Sequence, residues 1–141
     1  TEILLKGPAD HGSLRTDFPG GWNSDKINGF NGLGLTNEQM EAQLFTKQLL
    51  NWRKNSLAVT KGTLTHYLPQ NGVYVYFRKY KNELVMVLIN NNDSGASVSS
   101  ERFYEILYDK TQGISVLKKQ VYNLKNDIQV PGKTALILDL Q

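Results

Sequence analysis

The sequence contains no cysteine, which excludes disulfide bonds, thiolate nucleophiles and cysteine-ligated metal sites. It contains two histidines, His11 and His66, and neither has a partner at the spacing of a zinc site. Ser13 lies in no nucleophile elbow. We therefore predict no metal site and no other cofactor, while the lack of cysteine does not identify a compartment.

Long hydrophobic runs are also missing. No stretch approaches the roughly twenty apolar residues of a membrane helix, so no membrane span is predicted. Charge of one sign is scarce as well, because the net charge of +3 comes from scattered residues. Tyr74, Tyr76 and Tyr80 alternate beside Arg78, but the glycine-aromatic sequence of an RNA-binding strand is absent. We interpret these tyrosines as packing residues and predict no nucleic-acid partner.

A strong two-stranded pattern occupies the middle of the chain. From Val73 to Tyr80 the side chains alternate with period two, which predicts a strand. Lys81 and Asn82 supply a polar turn, with Asn82 suited to the left-handed conformation. The return strand, residues 84–89, is apolar at every position, so we expect both of its faces to be covered.

Further short strands are predicted on both sides of this hairpin, bounded by Gly, Asn, Asp and Pro residues. Their ranges are 62–68, 102–108, 114–117, 121–124, 128–130 and 134–140, and residues 90–100 are expected to form a polar loop. The last strand is apolar and should be central or close the sheet. Seven or eight strands at this spacing predict a mainly β fold, an antiparallel β-sandwich of the Greek-key type.

One clear helix is predicted before the strands, from Thr36 to about Asn55. Thr36 and Gln39 have the spacing of a capping box, in which each side chain accepts from the other residue's backbone N–H. Apolar residues recur along the helix at positions 40, 42, 44, 45, 49, 50 and 52, which we call the apolar stripe. This stripe predicts that one broad face of the helix is buried.

Residues 7–34 form a glycine-rich segment in which no helix or strand is expected. The segment contains His11, Arg15, Asp17 and Trp22, which a flexible linker would lack, so we expect it to pack on something. Each of the four is a candidate for substrate binding. The alternative is structural, with Arg15 paired to Asp17, Trp22 packed and His11 capping a turn, and it is favoured for each residue taken alone.

Several segments, taken in their order along the chain, resemble the C-terminal part of an α-amylase-family enzyme. They are DHGSLRTDFPGGW, LLNWRK, GTLTHYLP, YVYFRK, VMVLINNN and TALILDL. More narrowly, the sequence is similar to the neopullulanase and cyclomaltodextrinase group of glycoside hydrolase family 13, and the resemblance covers essentially the whole chain. It implies that residues 1–57 end a (β/α)8 catalytic barrel, with the helix as its eighth, and that residues 58–141 form the sandwich called domain C. The chain begins with Thr1, and we expect it to be part of a longer protein.

The resemblance also implies an activity for the parent enzyme, namely retaining hydrolysis of α-1,4 or α-1,6 glucosidic bonds in maltooligosaccharides, cyclodextrins or pullulan. The family uses three carboxylates for this reaction, and all three would lie upstream of Thr1. The chain alone is therefore expected to be inactive. Its implied partners are the missing catalytic barrel and, through the parent enzyme, an α-glucan oligosaccharide. The resemblance would place the parent in the bacterial periplasm or cytoplasm, and it leaves the oligomeric state open.

The four candidate residues then line one wall of the substrate cleft, because the loop after the eighth strand lies on the face where such barrels hold their sites. Trp22 would stack on a glucose ring, His11 and Arg15 would donate to sugar hydroxyls, and Asp17 would accept from one. Asp10 and Arg15 are five positions apart, one more than in the motif of many relatives, so the contacts of that motif are not transferred.

A second hypothesis, from a different class, is a carbohydrate-binding or interaction β-sandwich without chemistry of its own. The apolar stripe discriminates between the two. A free-standing module has no use for a stripe larger than one small sandwich can cover, whereas the outer helix ring of a barrel requires it.

Overall fold

A computed structural model describes residues 17–141 of the chain. The chain divides into two compact units, with the boundary between Lys47 and Gln48. The helices are α1 (Asn37–Asn55), α2 (Leu57–Lys61) and α3 (Tyr104–Leu107), the last preceded by a 3₁₀ helix at Ser100–Phe103. The strands are β1 (Thr63–His66), β2 (Val73–Tyr80), β3 (Glu83–Asn90), β4 (Ala96–Val98), β5 (Gln112–Ser115), β6 (Val121–Asn123), β7 (Ile128–Val130) and β8 (Thr134–Leu140).

The N-terminus of α1 has the predicted capping box. The Thr36 backbone N–H donates to Gln39 Oε1 at 3.0 Å, and the Gln39 N–H donates to Thr36 Oγ1 at 3.3 Å. Arg53 and Lys54 occupy the last turn, where cations are favoured by the helix dipole. Local sequence signals therefore set both ends of this helix.

The predicted burial of the apolar stripe of α1 is wrong for the described chain, where no residue of α1 is buried. Met40, Leu44, Phe45 and Leu50 are 41%, 54%, 46% and 51% exposed. The reason is that few of the described residues pack against α1. Trp52, near the end of the helix, is half-buried. Apolar side chains of α1 therefore remain accessible to another surface.

The sheet has the predicted antiparallel architecture. Six strands are ordered β1-β2-β3-β8-β5-β6, and β4 and β7 form a separate pair. The last strand is central, as predicted, because β8 lies between β3 and β5. The main core joins the inner face of the larger sheet to the smaller one, and its members include Val75, Phe77, Met86, Leu88, Leu138, Val98, Ile128 and Val130. The fold is the predicted mainly β, sandwich-like arrangement.

The β2–β3 hairpin has the predicted two-residue turn, with Tyr80 opposite Glu83. The left-handed residue of this turn is Lys81, with φ of 52°, and not Asn82 as predicted. The turn before β2 does use a left-handed pair, since Asn71 and Gly72 have φ of 49° and 74°.

Both faces of β3 are covered, as predicted, except at Ile89, which is 39% exposed. Leu84, Met86 and Leu88 belong to the main core. Val85 and Val87 point to the opposite face, where they pack with Ala58 of α2 and with the partly buried Trp52, Val59, Tyr76, Tyr80 and Ile137. The outer side of the sheet thus carries a second, smaller core built by α2 and the end of α1.

The strand predicted at residues 102–108 is wrong, because this segment forms the 3₁₀ helix and α3. Phe103 and Leu107 are buried, whereas Tyr104 and Tyr108 are 71% and 68% exposed. The apolar and aromatic residues of this segment alternate, and they also recur at a spacing of four, so the pattern fits a strand and a helical turn equally.

The loop predicted at residues 90–100 is also partly wrong, since it contains β4 and begins at a buried residue, Asn90. The Asn90 Nδ2 donates to Val130 O and Ser94 O, both at 3.0 Å, and Asn90 Oδ1 accepts from Asn92 N at 2.9 Å. This amide joins the end of β3 to the end of β7, and its buried polar atoms all have hydrogen-bond partners.

Candidate functional site

The four residues predicted to bind substrate are only partly within the described structure. His11 and Arg15 lie outside the described residues. Asp17 and Trp22 are both on the surface of the loop that precedes α1, and the Trp22 side chain is 68% exposed. The structure therefore presents the indole of Trp22 to solvent, where a ligand can reach it.

The backbone around Trp22 is held by one carboxylate, that of Asp25. Asp25 Oδ2 accepts from the backbone N–H groups of Gly20 at 2.8 Å and Trp22 at 3.1 Å. Gly20 has φ of 104°, and a Cβ there would come within 2.6 Å of the Asn28 side chain. The position of Trp22 is thus set by a tight turn that only glycine allows.

The rest of this loop is ordered by Asn28 and by an aromatic pair. Asn28 Oδ1 accepts from Phe30 N at 2.9 Å and Asn31 N at 3.2 Å. The rings of Phe18 and Phe30 meet edge to face with centroids 4.9 Å apart. Gln43 Nε2 of α1 donates to Gly29 O at 2.8 Å, which joins the loop to the helix. The expectation that this segment packs on another surface is wrong for its described part, where Trp22, Phe30 and Leu33 are 68%, 76% and 65% exposed. The segment is instead held by its own hydrogen bonds and by the bond to α1.

The loop offers surface for binding, and its described part does not contain the groups for hydrolysis. Asp25 already accepts two backbone N–H groups, and Asp17 is exposed. Among residues 17–141, no group of three or more His, Asp or Glu side chains could hold a metal ion. What this arrangement can do chemically is to present a flat apolar ring beside a carboxylate.

Shifted carboxyl pKa values occur where the fold itself holds the group. Burial raises the pKa of Asp139 on β8, and the nearby charge of Glu83 raises it further. Glu83 in turn accepts from the backbone N–H groups of Leu57 at 2.8 Å and Ala58 at 3.0 Å, so its carboxylate holds the start of α2. A hydrogen bond from Tyr67 lowers the pKa of Glu105. These groups have structural tasks.

A concave surface lies on the outer face of the larger sheet, beside α2 and the end of α1. This outer groove has a volume of about 640 Å³ and is lined mainly by Trp52, Tyr74, Tyr76, Leu64, Val87 and Ile137. Arg78 crosses it and donates to Val59 O at 2.9 Å and Ala58 O at 3.3 Å. Tyr76 and Tyr80 pack against the second core, in agreement with their interpretation as packing residues. The half-buried Tyr74 lies beside Tyr76, with ring centroids 5.7 Å apart.

Asp25, Asn28, Arg78 and Glu83 are the polar residues that sequence reasoning missed as organisers of these surfaces. Asn28-Gly29 is a recognisable turn signal. Asp25 accepts from backbone groups only three and five positions away, a turn contact that side-chain periodicity does not report. Arg78 and Glu83 depend on contacts across the fold, for which the sequence offers no local signal.

In the part of the chain from residue 17 onward, no helix has the length and apolar character needed to cross a membrane.

A family model described as the Cyclo-malto-dextrinase C-terminal domain matches residues 64–139 of this chain. Solved structures share the fold at low sequence identity. AmyP in complex with maltose is 16% identical, with a TM-score of 0.65 over 82% of this chain and 23% of that chain. An Anoxybacillus α-amylase is 18% identical, with a TM-score of 0.58 over 86% of this chain and 26% of that chain.

An isomaltulose synthase mutant from Erwinia rhapontici NX5, in complex with D-glucose, is 21% identical with a TM-score of 0.57. The match covers 82% of this chain and 20% of that one. At these identities the likeness concerns the fold. The chain spans about a quarter or less of the length of the three solved proteins.

Proposed function

Since the chain belongs to the cyclomaltodextrinase C-terminal domain family of α-amylase-family enzymes, in agreement with the predicted resemblance, we propose that it completes a glycosidase acting on α-glucans. The parent enzyme hydrolyses α-1,4 or α-1,6 glucosidic bonds of maltooligosaccharides, cyclodextrins or pullulan with retention of configuration. Within it, residues 1–57 end the catalytic barrel and residues 58–141 form the C-terminal sandwich. The chain supplies a wall of the substrate cleft and a structural domain.

The observation that carries this proposal is the accessible apolar stripe of α1. Leu44 and Leu50 are each more than half exposed, on a helix that has no buried residue in the described chain. Full burial of an exposed leucine is worth about 1.5–3 kcal/mol, and because these two are already about half covered, burial of the remainder is worth about half of that for each. A catalytic barrel that packs on α1 gains this free energy, and a barrel is also what the additional length of the solved relatives can supply.

The residues of this chain bind and orient the substrate. A retaining glycosidase needs two carboxyl groups roughly 5 Å apart, one as nucleophile and one as acid and base. The barrel supplies this pair. On the cleft wall, the indole of Trp22 stacks on a pyranose ring while His11, Arg15 and Asp17 hydrogen-bond to its hydroxyls. The maltose bound to AmyP supports a saccharide as the ligand class.

Reducing-end assays on a maltooligosaccharide and a cyclodextrin test the proposal. The purified 141-residue chain should show no turnover, because it lacks the paired carboxylates, whereas the longer enzyme should release reducing ends from at least one of the two substrates. Turnover by the chain alone contradicts the proposal.

The alternative is a carbohydrate-binding or interaction module without chemistry, which the exposed Trp22 would also suit. A longer protein that is inert on every α-glucan, yet is retained on an amylose column through Trp22, would favour this alternative. The two functions are thus separated by the same pair of purified proteins.

A further inference from the structure

A second pocket opens at the mouth of the sandwich, between the larger sheet and the β4–β7 pair. Its volume is about 370 Å³, within the range of roughly 300–1,000 Å³ that is typical of small-molecule sites. We call it the mouth pocket. Val73, Val75 and Val98 of the main core close its bottom and are at most 8% exposed. Its rim is polar and consists of Gln70, Asn71, Ser97, Ser99, Arg102 and Asp127.

The turn that carries Gln70 and Asn71 is fixed in place. Gln70 and Val73 pair across it, with N–H to O distances of 3.0 and 2.9 Å. Asn92 Nδ2 donates to Asn71 O at 2.8 Å. A Cβ at Gly72 would collide with the Asn92 side chain, so this close approach of the turn to Asn92 requires glycine. The two rim amides therefore sit on rigid backbone, which lowers the entropy cost of binding.

On the opposite side of the mouth pocket, a short chain of hydrogen bonds orients Asp127. Gln129 Nε2 donates to Ser97 Oγ at 2.9 Å, and Ser97 Oγ donates to Asp127 Oδ2 at 3.1 Å. Asp127 Oδ1 keeps its capacity to accept from a ligand, as far as the described residues show. The rim thus presents an oriented carboxylate rather than a mobile one.

Arg102 supplies the donors of the rim. Its guanidinium lies over the rings of Tyr67 and Phe103, 5.8 and 5.4 Å from their centroids, and Nη2 donates to Leu68 O at 2.6 Å. Burial and the hydrogen bond to Glu105 raise the pKa of Tyr67 to about 12, so the phenol stays neutral beneath the guanidinium. The other N–H groups of the Arg102 guanidinium are not used by residues 17–141 and are available to a ligand.

We infer that the mouth pocket binds one pyranose unit of a neutral oligosaccharide. One cation, one carboxylate, two amides and two hydroxyls on the rim provide donors and acceptors for several sugar hydroxyls, and their opposite charges select against a charged ligand. The volume of the pocket accommodates one pyranose ring, whose hydroxyls reach polar groups on opposite sides of the rim. That the oligosaccharide is an α-glucan rests on the proposed function.

Chemical-shift mapping of the 141-residue chain with maltotriose tests this inference directly. Saturable shifts are expected at the backbone amides of Asn71, Ser97 and Asp127. Glycerol, matched for hydroxyl concentration, should not produce them, because a three-carbon polyol is too small to bond both sides of the rim at once. No shift at these amides with maltotriose, or equal shifts with glycerol, overturns the inference.

Two variants make the test specific. Asp127→Ala should weaken maltotriose binding about tenfold, as expected for the loss of a hydrogen bond to a charged group. Asp93→Ala is the matched control, since Asp93 is 97% exposed and pairs with Lys133 outside the pocket. Equal affinities in the two variants contradict the inference. If Asp127→Ala loses the chain's circular dichroism spectrum, Gln70→Ala replaces it, with an affinity below that of the Asp93→Ala control expected.

Failure of the mouth pocket and failure of the proposed function are distinguishable. The reducing-end assay on the longer enzyme is independent of the amide shifts of the chain. If the longer enzyme is active but the mouth pocket does not bind maltotriose, only the inference about the pocket is refuted. If the pocket binds maltotriose but the longer protein is inert, only the proposed glycosidase activity is refuted.

Discussion

Trp22 illustrates how single residues define the surface of this chain. Its side chain is exposed, but its backbone is fixed through Asp25. A large aromatic ring held in solvent by its own turn gains little for the fold, which is typical of a ligand contact. Leu33, in the same loop, is 65% exposed and provides a comparison of similar accessibility without an aromatic face.

We predict that Trp22→Ala raises the KM of the longer enzyme for maltooligosaccharides about tenfold and leaves kcat unchanged. The reason is that a stacked ring stabilises ground state and transition state equally. Steady-state kinetics on the variant measure both constants, with Leu33→Ala as the control that should match the unchanged enzyme. A normal KM together with a lower free energy of unfolding would assign Trp22 the structural role instead.

At the scale of elements, the sequence predicted what local chemistry determines. The capping box of α1, the β2–β3 hairpin and the central place of β8 follow from side-chain pattern and turn residues. The strand prediction for residues 102–108 failed because Phe103 and Leu107 are buried at a spacing of four, and the sequence pattern alone did not show which residues face the core. The burial of Asn90 and the rim of the mouth pocket join segments distant in sequence, and periodicity cannot report such contacts. Of the predicted site, Asp17 and Trp22 lie on an ordered surface, and their role in binding stays a prediction.

The end of α1 gives a prediction at the same scale. Trp52 packs half-buried against Ala58, Val85 and Val87. Trp52→Ala should lower the free energy of unfolding of the chain by roughly 2 kcal/mol, less than the roughly 3–5 kcal/mol of a fully buried tryptophan. Leu50→Ala, on the same helix at 51% exposure, should change it by less than about 0.5 kcal/mol. Urea denaturation of both variants measures the difference, and equal midpoints would remove Trp52 from the second core.

At the scale of the whole molecule, the chain has two kinds of surface. The sandwich buries its own core, whereas the apolar stripe of α1 is accessible in the described chain. Several exposed large apolar side chains on one helix are typical of an interaction site. The proposed barrel accounts for this difference, since it needs α1 and leaves the core of the sandwich unchanged.

Leu44→Glu distinguishes the chain from the longer enzyme. In the chain, where Leu44 is 54% exposed, the substitution should change the free energy of unfolding by less than about 0.5 kcal/mol. In the enzyme it should cost at least about 2 kcal/mol, because it places a carboxylate in the barrel interface. Thermal and urea unfolding of both proteins give these values, with Lys47→Glu, an exposed site on α1, as the control. A small effect in both proteins would mean that nothing covers the stripe.

The central position of β8 has a consequence for synthesis on the ribosome. β8 pairs with β3 on one side and β5 on the other, so β1–β3 and β5–β6 are joined in one sheet only through it. While residues up to 133 are emerging, the nascent chain holds two separate ribbons, and the apolar edge of β3 is open to strand addition by other chains. A chain cut short before Thr134 would therefore lack the strand that joins the two parts of the larger sheet, and the pairing edge of β3 would stay open.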